Sequence, residues 1–177
     1  MRRFWFAFGL VLIIALVAAW PTSASAQGEF ELVSGKAFDS AVPKDFYLEG
    51  NAIPTQKRNA ALVKTPTGAR LVFALIDTTG YSSQIQQKYE GMIINEGKVT
   101  LCGRVIGVGS YGFGFTKPVA TSTEATMFFV YNQAGGKVAD CTMTKDEGLK
   151  QPVPLQVVVS KGAPAKLYLG KNWLEVK

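Results

Sequence analysis

Ser110-Tyr111-Gly112-Phe113-Gly114-Phe115-Thr116 alternates aromatic rings with glycine or other small side chains. Successive side chains of a β-strand point to opposite faces. A strand here puts Tyr111, Phe113 and Phe115 on one face and almost no side chain on the other. Such an aromatic face has two uses. It fills a core, with the glycines permitting a bend or the close approach of another element. Alternatively it forms a pocket wall or stacking platform for an apolar or sugar-like ligand. Tyr111, Phe113 and Phe115 are therefore the candidate ligand-binding residues as well as candidate core. The overlapping run Gly107-Val108-Gly109-Ser110-Tyr111-Gly112 matches G-x-G-x-x-G. A dinucleotide site needs a helix directly after that pattern. Here Phe113 to Pro118 reads as strand and then turn, so no nucleotide cofactor is expected.

The segments on either side carry the same β signals. Arg58 to Lys64 and Ala69 to Ile76 flank Thr65-Pro66-Thr67-Gly68, a hairpin signal. Met92 to Ile94 and Val99 to Ile106 flank Asn95-Glu96-Gly97-Lys98, a second one. Met127 to Tyr131 and Lys137 to Met143 flank Gln133-Ala134-Gly135-Gly136, a third. Phe46-Tyr47-Leu48 reads as the first firm strand, and Val153 to Ser160 and Lys166 to Val176 as the last. One helical window stands out, Ser82 to Glu90: a serine can cap it, Ile85 and Tyr89 sit on one face, and Gly91 can end it. The short helix is a natural candidate for close approach to the glycines of the aromatic strand. The pattern predicts an all-β, mainly antiparallel domain with this one short helix. Periodicity leaves a sandwich and a small barrel both open.

The N-terminus reads as an export signal. Met1-Arg2-Arg3 is basic, Phe4 to Trp20 is apolar, and Pro21 breaks the run before Thr22-Ser23-Ala24-Ser25-Ala26. Ala24 and Ala26 suit the two small-residue pockets of a signal peptidase, with cleavage before Gln27. A retained membrane anchor is the alternative, although the run is at the short end of what spans a bilayer. After cleavage no stable membrane span is expected, and the protein is periplasmic or extracellular. Residues 27–40 read as an N-terminal arm and 41–177 as a single β-rich domain.

Removing the signal leaves 151 residues, with 17 Lys and Arg against 13 Asp and Glu. The basic residues are scattered, which argues against a nucleic-acid partner. The two cysteines, Cys102 and Cys141, suggest one disulfide in an exported chain. Two buried thiols are the alternative. No histidine is present, which removes histidine-dependent triads and proton shuttles. It also leaves too few soft ligands for an ordinary zinc site, so no metal is expected.

Asp140, Asp146 and Glu147 form a loose acidic group without the alternating spacing of a calcium loop. No serine sits in G-x-S-x-G, and none has a lysine three residues on. These features argue against an enzyme and predict no catalytic residues and no cofactor. The expectation is an exported, non-enzymatic β module that binds a small apolar or carbohydrate ligand, or an envelope protein. The alternatives are a carboxylate-dependent, glycosidase-like hydrolase, or a structural component of an envelope assembly that uses an exposed strand edge.

Overall fold

A computed structural model describes residues 28–116 and 125–177. The signal-peptide assignment, with Ala24 and Ala26, lies outside the described residues. Within them the fold is mostly antiparallel β, arranged as two sheets.

The first sheet begins with β1 (Glu31–Val33), which is followed by a short helix, α1 (Lys36–Ala41). A hairpin of β2 (Asp45–Leu48) and β3 (Asn51–Lys64) comes next. The remaining strands are β4 (Arg70–Ile76), β5 (Gly91–Asn95), β8 (Gly109–Phe115), β9 (Met127–Tyr131) and β10 (Lys137–Thr142). Their spatial order is β1-β3-β4-β5-β8-β9-β10, with β2 also paired to β3. The second sheet contains β6 (Val99–Leu101), β7 (Arg104–Ile106), β11 (Thr144–Lys145), β12 (Gln156–Val158), β13 (Ala165–Leu169) and β14 (Asn172–Val176). Its order is β12-β13-β14-β6-β7, with β11 against β14. Each sheet has two ends, so the architecture is a pair of layered sheets and not one closed barrel.

Both faces of the first sheet are buried near its centre. Val63, Leu71, Phe73, Ile93, Phe113 and Val130 face the second sheet and share one core with its Leu101, Leu167, Leu174 and Val176. Leu62, Val72, Ala74 and Met92 face the other way. They pack under Phe46 and Leu48 of β2 and under Ile85 and Tyr89, which lie in and just after a second short helix, Ser83–Lys88. Burial on both sides explains why Leu71-Val72-Phe73-Ala74 and Met92-Ile93-Ile94 are continuous apolar runs, all buried except the partly exposed Ile94.

The first and third hairpin signals form as expected, β3 with β4 and β9 with β10. The second does not. β5 pairs with β4 and β8, whereas β6 joins the second sheet beside β14 and β7. The segment Glu96-Gly97-Lys98 is thus a crossing between layers. Asn95, 1% exposed, pins it. Its amide donates to the carbonyls of Gly97, Ile106 and Gly107 at 2.9, 3.1 and 2.8 Å, and its Oδ1 accepts from the Gly97 amide at 3.2 Å. A buried asparagine that serves three carbonyls fixes this crossing as a turn signal alone cannot.

The stretch Val99 to Ile106 is also split. Cys102 and Gly103 both have positive φ, 54° and 67°, and Leu101 pairs with Arg104. Positive φ at both central positions is what a two-residue type I′ hairpin requires. Lys166 to Val176 is split likewise into β13 and β14.

The expected helix is α2 (Ser83–Lys88), with the Ser82 hydroxyl accepting from the Ile85 amide. α1 is a second helix, not expected from the sequence. It falls largely within the N-terminal arm, residues 27–40, as does β1, which pairs with the end of β3. Among the described residues no helix is long and apolar enough to cross a membrane.

Candidate ligand cleft

β8 carries the aromatic alternation, and the structure puts its rings on the face toward the second sheet. Phe113 is fully buried and stacks on Phe128, with centroids 5.4 Å apart and planes at 30°. Tyr111 and Phe115 are partly buried against the same core. The Tyr111 hydroxyl donates to the Gly107 carbonyl at 3.3 Å. Phe113 therefore has no surface to offer a ligand in this conformation, and Phe115, at the strand end, is only partly buried on the same inward face.

The glycine face receives α2. A Cβ on Gly112 would sit 2.6 Å from the Tyr89 ring, and one on Gly114 would collide with the backbone oxygen of Lys88. The bare strand is what lets the end of α2 lie flat on the sheet. Gly114→Ala is expected to lower stability by at least about 1–3 kcal/mol, because two backbones must separate. Chemical denaturation checks this, and an unchanged midpoint would contradict the close approach.

A salt bridge anchors the same end of α2. Glu49 lies in the β2–β3 turn with φ 48°. Its Oε1 accepts from Lys88 Nζ at 2.5 Å and from the Tyr89 hydroxyl at 2.6 Å. The Glu49 amide donates to the Gln133 carbonyl in the β9–β10 turn at 2.9 Å. Lys88 Nζ also stands 5.1 Å from the Tyr89 ring centroid and 5.0 Å from that of Tyr131. Three separate segments of chain meet at Glu49.

The Lys88 ammonium, and then the Tyr89 hydroxyl, hold the Glu49 carboxyl below its usual range. Burial, and then the Glu49 carboxylate, raise the Tyr89 phenol well above its own. A depressed carboxyl pKa stabilises the fold above the unfolded-state value of about 4.3, and that contribution disappears as pH falls through the lower, folded value. Glu49→Gln is therefore expected to lower the melting temperature at neutral pH. The gap from the parent protein should close as pH drops below about 4. A gap that persists at lower pH would contradict the ionic coupling.

The α2 cover stops at β8. Beyond it the outer face of β9 is only half covered, and an open cleft of about 460 Å³ lies between α2 and this strand. Gln86, Gln87 and Lys88 of α2 line one side, and Phe129 and Tyr131 of β9 the other. Glu90, Phe115 and Thr116 complete the lining. Phe129 and Tyr131 are neighbours on the outer face, with centroids 6.3 Å apart and planes tilted by 34°. Other open clefts among the described residues have volumes of about 410, 430 and 590 Å³, so it is the aromatic lining and not the size that distinguishes this one.

No family model matches the chain, and no curated protein or solved structure is significantly similar to it.

The remaining candidate residues lie elsewhere. Cys102 and Cys141 form a disulfide with Cα atoms 5.1 Å apart. It ties the β6–β7 turn to β10, so one end is in a turn and not, as strand assignment of Val99 to Ile106 implied, within a strand. The acidic group is dispersed into local contacts. Asp140 meets Lys137 at 3.3 Å, and Glu147 meets Lys145 at 2.7 Å. Asp146 accepts from the Tyr168 hydroxyl and the Gly148 amide, both at 3.0 Å. Among the described residues no group of three or more potential metal ligands converges. Of the cleft residues, only Phe115 was singled out by sequence. Phe129 and Tyr131 sit in Met127-Phe128-Phe129-Val130-Tyr131, which is apolar throughout and gives no sign of which face stays open.

Proposed function

We propose that the protein is an exported, non-enzymatic β module that binds a carbohydrate in the cleft between α2 and β9. The observation that carries this reading is the Phe129–Tyr131 pair, two partly buried rings side by side on a sheet face, in a cleft that Gln86 and Gln87 also line. Sugar rings have apolar C–H faces that lie on aromatic surfaces and hydroxyl rims that need donors and acceptors at the edge. The cleft supplies both from rigid elements. Glu90 is the one carboxylate in the lining among the described residues, which favours binding over a two-carboxylate hydrolase. The disulfide supports an exported location, since such bonds persist in oxidising compartments.

Titration calorimetry against a panel of soluble oligosaccharides tests the proposal. At least one should bind saturably without turnover. Tyr131→Ala should weaken that binding by roughly ten-fold or more, equivalent to about 1.4 kcal/mol, with the fold retained by circular dichroism. Binding unaffected by Tyr131→Ala, or turnover of the sugar, would refute it.

A further inference from the structure

Independently of the sugar cleft, we infer that the Cys102–Cys141 bond is a reversible redox latch, opened on the folded protein by a dithiol reductant. The bond stands at the surface. Both cysteines are only partly buried, and both line an open cleft of about 410 Å³ together with Thr142, Thr144 and Trp173. The turn that carries Cys102 has room beside it, since a Cβ on Gly103 would meet nothing within 4 Å among the described residues. Thiols reach an exposed disulfide without unfolding the chain, and exposed bonds form the labile, regulatory class.

The structure around the bond suits opening and closing. Cys102 has φ 54°, in the left-handed region that side chains other than asparagine and aspartate rarely enter. It lies at the tip of the β6–β7 hairpin, at one end of its sheet, and the bond crosses to β10, the end strand of the other. Opening the bond lets this tip leave its strained conformation. The base of the hairpin stays, because Val99, Leu101 and Ile106 are buried in the core. Ala139 and Met143, two positions either side of Cys141, are buried as well. Both thiols are thus held near each other after reduction, which favours re-forming the bond. The exchange balances in two steps. A thiolate of the dithiol attacks one sulfur, and the other cysteine leaves as a thiolate. The reagent's second thiol then displaces the first cysteine. The protein gains two electrons and two protons, and the dithiol leaves as a disulfide.

The experiment treats the protein recovered after export with dithiothreitol under native conditions, and counts thiols by acid quench, alkylation and mass. Reduction should go to completion with the circular dichroism of the folded protein retained, at a rate proportional to reductant. Sub-denaturing urea, or Phe113→Ala in the buried core, should leave that rate unchanged within about three-fold. A bond reached only by global unfolding would instead be reduced in step with the unfolded fraction. Phe113→Ala would then speed reduction by about a hundred-fold or more, and urea would speed it steeply; either result would overturn the inference. Trp173 is the one tryptophan left after cleavage before Gln27, so its emission reports this cleft. It should change in step with the thiol count and return when oxidised glutathione restores the bond. Constant emission, or a reduced protein that does not re-form the bond, would also overturn the latch.

Discussion

Phe113→Ala should destabilise the protein by about 3–5 kcal/mol, the cost of emptying a fully enclosed aromatic site. Phe113 is 0% exposed, stacks on Phe128, and lies in the core shared by the two sheets. It also abuts Gly91 of β5, where a Cβ would collide with its ring. The site is closed by backbone and by other buried side chains, which restricts its collapse around the cavity. Urea or guanidinium denaturation with an unchanged slope would give the difference directly. A loss below about 1 kcal/mol would mean that the ring lines an open surface instead of filling the core.

The second large effect is expected at the disulfide. Cys102 and Cys141 are 39 positions apart, and the bond joins the β6–β7 turn of one sheet to the edge strand β10 of the other. In the chain-entropy model a closed loop of this length stabilises the fold by about 4 kcal/mol, by restricting the unfolded chain. The Cys102→Ala/Cys141→Ala variant should lose stability of that order, and the parent protein measured under reducing conditions should lose a similar amount. The unfolding midpoint in denaturant checks both. An unchanged midpoint in the reduced protein would show that sheet packing alone holds the layers together. Because a loss of this size is comparable to the net stability of many domains, about 5–15 kcal/mol, the reduced chain is expected to open at ordinary growth temperatures sooner than the oxidised one.

Much of the architecture is written in local signals. The alternation of Tyr111, Phe113 and Phe115 with glycines gives a strand with one bulky face and one bare face, because side-chain direction along a strand is a property of the backbone itself. Ser82 marks the start of α2 because a hydroxyl can satisfy an end amide. The hairpins around Thr65-Pro66-Thr67-Gly68 and Gln133-Ala134-Gly135-Gly136 follow from turn chemistry, and the even cysteine count anticipated the bond between Cys102 and Cys141.

What the chain could not reveal by itself depends on partners distant in sequence. Asn95-Glu96-Gly97-Lys98 has hairpin chemistry, yet the segment crosses between layers, because β5 finds better partners in β4 and β8 and Asn95 finds carbonyls to bind. Glu49 looks like an ordinary turn carboxylate until Lys88 and Tyr89 are brought to it from some 40 residues away. Phe129 and Tyr131 differ from Phe128 and Val130 only in which side of β9 they occupy, and in where the cover provided by α2 ends. Local sequence determines what each segment can be. Tertiary packing decides which faces are covered, and the candidate cleft lies where that cover stops.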